Sequence, residues 1–272
     1  MAAWMRTAIL IVALAFSAII GSFGALWLTS TRGGLGPTVL QANSPLVATI
    51  SVVLVVAIAT ILGVTTARVT TAASGMFVVG FALFALTMRT QGVTDYIFSE
   101  VNTSLLALEA IVVAILILAS SLVVFQMGGP LKDVPVNQQG IWDKAFSFRN
   151  IGMSLLLSLA ILPIVWLVAA SPSKGQVIGA SSVGGVAVAC LARKFTPHLQ
   201  PILIFSGPTA IAAIGYAIAN SMGISDIAFT QKTISPLIFP MPLEYAAGSI
   251  MGVAIGLSWA SSFAEKGTPG TA

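Results

Sequence analysis

Residues 46–66 read LVATISVVLVVAIATILGVTT, twenty-one residues without a charge, and Arg68 follows two positions later. A helix crossing a bilayer core of about 30 Å needs roughly 20 predominantly apolar residues. Backbone groups find no water in that core, so a spanning run of this kind must be helical. The short alternating segments of a membrane β-barrel are absent. Working outward, seven more apolar runs appear. They cover 8–29 after Arg6, 72–88 closed by Arg89, 105–127 ended by Gly128, Gly129 and Pro130, and 151–170 ended by Ser171 and Pro172. The remaining three cover 176–191 ended by Arg193 and Lys194, 202–220, and 245–263 before a polar tail. The expected fold is an all-α polytopic transmembrane bundle of about eight helices, forming one integral membrane domain over residues 1–272. The runs 72–88 and 176–191 are short, and losing either would put the termini on opposite sides.

Composition points the same way. The chain is 57% hydrophobic and 7% charged, with a mean hydropathy of +1.01. A soluble domain carries about 25% charged residues, and no stretch here is long and polar enough for a second, soluble domain. The single cysteine excludes an internal disulfide and a metal site built on several thiols; Cys190 reads as a small buried hydrophobe. A net charge of +4 would suggest nucleic acid in a soluble protein. Here the cations stand singly between apolar runs and read as topology signals, so the lipid bilayer is the expected partner and nucleic acid is not.

With the N-terminus inside, the cytoplasmic cations are Arg6, Arg68, Lys132, Lys144, Arg149, Arg193, Lys194 and Lys266, against Arg32, Arg89, Lys174 and Lys232 outside. Positive-inside bias then gives both termini in the cytoplasm of a multi-pass protein, expected in a bacterial inner membrane. The first run has a longer apolar core than the roughly 7–15 residues of a signal peptide, so it reads as a retained anchor. Two connections stand out. In 128–150, Trp142 and Phe146 are spaced to share one face of a short interfacial helix. In 221–244, Pro236, Pro240 and Pro242 surround Leu237, Ile238 and Phe239, which suits a re-entrant or interfacial segment buried against protein.

The eight runs split into four plus four. Leu108-Glu109-Ala110 and Leu243-Glu244-Tyr245 then open corresponding helices, and Ala119-Ser120-Ser121 matches Ala260-Ser261-Ser262. Gly75 and Gly80 in one third helix answer Gly207 and Pro208 in the other. A parallel repeat of this kind occurs in transporters, although such short matches arise readily by chance in apolar sequence.

Glu109 is the one carboxylate inside an expected span, and ionisable groups there usually face a bundle interior or an aqueous cavity. It is a candidate for a proton or cation site; Arg89, on the same side, is its candidate ion-pair partner. Glu244 begins the last run, where the helix dipole alone favours a carboxylate. Ser206, Gly207 and Pro208 interrupt the seventh run, and proline frees a carbonyl that can bind an ion or solute or simply mark a kink. Pro163 reads the same way in less polar company. Gly179, Gly184 and Gly185, and the Gly248, Gly252, Gly256 stripe, are expected helix-packing positions. His198, the only histidine, sits between Pro197 and Pro201 as an interfacial polar residue.

The sequence offers no catalytic residue set. One histidine does not supply a bis-histidine haem, no His/Cys/carboxylate cluster has metal spacing, no lysine lies mid-span for a retinal, and there is no nucleotide motif. No cofactor and no metal are expected. The leading functional expectation is a small transporter or permease-like protein for an ion or small solute, tested first at Glu109, Ser206, Gly207, Pro208 and Glu244. A non-catalytic membrane subunit or scaffold, docking to other subunits or to itself, is the second. A membrane enzyme acting on a lipid is the third.

Overall fold

Eleven α-helices follow one another among the described residues of the computed structural model, which are 3–99, 101–129, 131, 146–197 and 200–265. They are α1 Ala3–Gly24, α2 Pro45–Val69, α3 Ala72–Thr87, α4 Val93–Ile97, α5 Thr103–Gly128, α6 Phe148–Ser158, α7 Ile161–Val168, α8 Lys174–Phe195, α9 Ile202–Ser221, α10 Asp226–Thr230 and α11 Pro242–Glu265. Among these residues there is no strand, only an isolated bridge between Thr29 and Leu35. Six helical segments are long and apolar enough to cross a membrane: 3–27, α2, α5, 148–168, α8 and α9. The apolar α3 is shorter. Trp142 and most of the expected interfacial helix, together with His198, lie outside the described residues.

Local chemistry explains the helix starts. Pro45 occupies the first turn of α2, where no amide partner is needed. Thr71 caps α3 by accepting from the Ser74 amide, and Asn102 caps α5 by accepting from the Leu105 amide. The run 151–170 is split at 159–160 into α6 and α7. Pro163 accounts for the split, because it lacks the amide that would bond the Leu159 carbonyl four residues back. Pro208 does not have this effect, and α9 runs unbroken through it.

Gln91 N donates to the Leu35 carbonyl, Lys174 Nζ donates to the Gln91 carbonyl, and the Phe98 and Phe229 rings meet edge to face. The connections 25–44, 88–102, 169–173 and 222–241 therefore gather at one end, the distal end, across α1 from the N-terminus. The centre of the bundle is made by α3, α5, α9 and α11, with α1 and α2 flanking one side and α6, α7 and α8 the other. Almost all of α11 from Pro242 to Ala254 is buried. Its contact with α8 is the most extensive between helices among the described residues. Glycines allow it: a methyl at Gly248 would strike the Ile178 carbonyl, one at Gly252 the Ser182 carbonyl, and one at Gly256 would lie 2.7 Å from the Val186 carbonyl. Gly185 answers from α8 against the Ser249 carbonyl, and Gly184 admits Ile161. Gly179 differs from its expected role: a side chain there would meet nothing within 4 Å.

The outside of the bundle is apolar. Phe23, Ile61, Ile115 and Leu167 are each more than 60% exposed. In water such a surface would be an extended sticky patch; in hydrocarbon it is the proper solvent-facing layer. Trp4 and Trp259 stand exposed toward the N-terminal end, and Trp27 and Trp166 toward the distal end. That is the arrangement of two interfacial aromatic belts. The chain is thus an all-helical, multi-pass membrane protein. Cys190 is exposed on α8 rather than buried, since the buried face of that helix is taken up by its small residues against α11; a weakly polar thiol suits lipid equally well.

Candidate functional site at the distal end

Two buried carboxylates organise the distal end. Glu109, 2% exposed, accepts the Val39 amide at 3.1 Å on Oε1 and 3.0 Å on Oε2, and the Leu40 amide at 3.0 Å on Oε2. The same turn is closed locally by the Gln41 amide donating to Thr38 Oγ1 at 3.3 Å. The acid therefore satisfies backbone donors that would otherwise be orphaned in a buried loop. Arg89 is exposed and forms no ion pair with Glu109, contrary to the expected pairing. The loop amides already neutralise much of the carboxylate's need for partners, without the cost of burying a guanidinium.

Glu244 is the third residue of α11 and is 1% exposed. Its Oε2 accepts the Met241 amide at 3.0 Å, while the Met241 carbonyl accepts the Tyr245 amide at 2.8 Å. This is the back-reaching half of a capping box, with Pro242 in the first turn. Its Oε1 faces Lys174 Nζ at 2.6 Å, the one ion pair among the described residues. Lys174 opens α8 and donates also to the Gln91 carbonyl at 3.2 Å and to Thr90 Oγ1 at 3.4 Å. Its three N–H groups thus have three acceptors, drawn from α11 and from the segment after α3.

All three tyrosines are buried in the same region. Tyr216 donates to the Pro240 carbonyl at 2.7 Å, which pins the proline-rich segment 234–241 against the bundle. Tyr96, in the short α4, accepts the Asn102 amide at 2.9 Å. Burial pushes its phenol up to about 12, the Asn102 amide opposes the shift, and the Glu109 charge adds to it. Tyr245 Oη has no hydrogen-bond partner among the described residues.

Above this layer lies a cavity of about 460 Å³, lined by Ser30, Thr31, Arg32, Pro37, Gln41, Gln91, Asp95 and Ser99. Its walls are the two connections flanking α2 and α3. The first is shaped by a turn in which Ser30 N donates to the Gly34 carbonyl at 2.7 Å; Gly33 adopts φ +82°, a left-handed conformation that suits glycine. Arg32 Nη2 donates across the cavity edge to the Phe98 carbonyl. Gln91 lines the cavity and accepts from Lys174 on its carbonyl. A single residue therefore separates the cavity from the ion pair.

The other expected path residues do not join this site. Ser206, Gly207 and Pro208 are buried midway along the bundle. Ser206 donates back to the Leu203 carbonyl at 3.2 Å, and Gly207 is where the Ser158 hydroxyl presses against α9. The space beside them, about 200 Å³, is lined mainly by apolar residues such as Ile111, Ile115, Leu155 and Leu203. The space beside Glu109 is about 30 Å³, apolar apart from that acid and Thr49. Among the described residues no three His, Cys, Asp or Glu side chains are grouped to hold a metal. Sequence reasoning missed Arg32, Gln91 and Asp95 as cavity residues and Lys174 as the partner of Glu244. The available signal was the clustering of polar residues in 30–43 and 89–102, which gives no pairing. Comparison with protein-family models, with curated proteins and with solved structures finds no match for this chain.

Proposed function

We propose that the protein is a membrane carrier for a small polar solute, which it takes up at the distal cavity. The observation that carries this reading is a polar-lined cavity of ligand size backed through Gln91 by an ion pair whose acid is buried. Ligand pockets span about 300–1,000 Å³, and 460 Å³ falls within that range. Ion pairs inside a membrane protein are expensive and commonly mark solute or ion pathways. Lys174 ties the segment after α3 to α11, so movement of solute past Gln91 requires this link to rearrange. The charge count puts the distal end outside the cell. The entry route runs by Gln91 to Lys174 and Glu244. The dry surroundings of Pro208 and Glu109 weigh against a route through Ser206, Gly207 and Pro208, and give Glu109 the part of an anchor for the cavity wall.

The test is counterflow in proteoliposomes. Vesicles loaded with a mixed pool of unlabelled amino acids, amino alcohols, sugars and carboxylic acids are challenged with each labelled counterpart. Saturable exchange of at least one compound, lost in Gln91→Leu, is the expected result. Exchange of none, together with no thermal shift of the purified protein by any of them, would overturn the carrier reading.

A further inference from the structure

Resting on the carrier reading, we propose that the distal cavity recognises a zwitterion: a small molecule with an ammonium group and a carboxylate or phosphate. Arg32 and Asp95 line the same cavity, and they form no ion pair with each other. Two opposite charges left unpaired, one on each of the two connections that wall the cavity, present one site for an anion and one for a cation. The guanidinium commits Nη2 to the Phe98 carbonyl, which fixes its position and leaves its remaining N–H donors for a carboxylate or phosphate. The Asp95 carboxylate takes the ammonium. Gln41 and Gln91 provide neutral walls that match neither charge in excess.

Size narrows the class. A volume of 460 Å³ has room for about fifteen waters at liquid density. That suits an amino acid, an amino alcohol phosphate or the head of a zwitterionic lipid, and excludes a folded peptide. A zwitterion meets both charges at once, whereas a singly charged solute meets only one of them and leaves the other to water.

The experiment is calorimetric titration of the full chain in nanodiscs with 4-aminobutyrate, glycine and phosphoethanolamine, against butyrate, butylamine and glycerol. At least one zwitterion is expected to bind, with butyrate and butylamine at least about tenfold weaker. Arg32→Gln should reduce the zwitterion to the level of butylamine, and Asp95→Asn to the level of butyrate. Nanodiscs of phosphatidylglycerol and of phosphatidylethanolamine separate the sources. Equal binding in both identifies a free solute, whereas loss of binding in phosphatidylethanolamine identifies the lipid head as occupant, and either result supports the class. Butyrate or butylamine binding as tightly as every zwitterion would overturn it. Glycerol binding alone, with exchange seen in proteoliposomes, would sink the zwitterion while leaving the carrier. Absence of both binding and exchange would remove the two together.

Discussion

Lys174 gives up water for three protein acceptors, and Glu244 is almost wholly buried beside it. Removing the Glu244 charge leaves Lys174, 20% exposed, with only the neutral Thr90 and Gln91 acceptors, so the loss falls below the roughly 3–5 kcal/mol of a fully buried pair. Glu244→Gln is therefore expected to lower the thermal unfolding midpoint in detergent measurably. Lys174→Met combined with Glu244→Leu should recover most of that loss, because the double variant buries no charge, while abolishing exchange. A double variant that restores both stability and exchange would show the pair to be only structural. Glu109 makes a different prediction. In Glu109→Gln one carboxamide oxygen replaces two acceptors, and the new NH₂ faces the Val39 and Leu40 donors. The cost is about 1–3 kcal/mol. It should appear as faster hydrogen exchange at residues 38–42, with protection inside α5 unchanged. Unaltered exchange in that loop would mean that Glu109 does not hold it.

At the scale of elements, packing is decided by where backbone must approach backbone. Gly252→Ala on α11 places a methyl against the Ser182 carbonyl and should separate α8 from α11, lowering the unfolding midpoint. Gly179→Ala on the same α8 meets nothing within 4 Å and should be neutral or stabilising by up to about 1 kcal/mol through helix propensity. Thermal unfolding of the two variants side by side checks the contrast; equal effects would refute it. The two prolines differ for a related reason. Around Pro208, Thr209 bonds Ser249 of α11 at 3.3 Å, and Ser121 of α5 bonds the Ile202 carbonyl at 3.2 Å, so neighbours hold α9 in line. The halves of the chain also echo each other. Glu109 in α5 fastens the segment before α2, and Glu244 in α11 fastens the start of α8. The main contacts between halves, α3 with α11 and α5 with α9, exchange under the same swap. The echo is incomplete, because α2 packs broadly on α3 whereas α8 turns to α11 instead of α9.

For the whole molecule, the helices were legible because hydrocarbon imposes a length and a polarity on each run. Residues 46–66 lie inside Pro45–Val69, and 105–127 inside Thr103–Gly128. The site was legible only in part. Glu109 and Glu244 announced themselves by being acids near apolar runs, but their partners lie about 70 residues away along the chain. Apolar periodicity reports exposure to lipid and carries no record of such pairings. The cavity was illegible because Arg32 and Asp95 sit in ordinary polar connections that folding brings to one cavity. Orientation remains a matter of charge counting, and it yields the last prediction. In a Cys190→Ser background, single cysteines at Arg32 and Ile227 belong to the distal connections, and those at Thr70 and Thr196 to the opposite end. With the N-terminus inside and an even number of crossings, a membrane-impermeant maleimide should label the first two in intact cells and the second two only after permeabilisation. The reverse pattern would turn the cavity toward the cytoplasm, making it an exit or an inward-facing receptor. Labelling of only one member of either pair would mean that a helix between them does not cross; the short α3 separates Thr70 from the distal end and would be the first to re-examine.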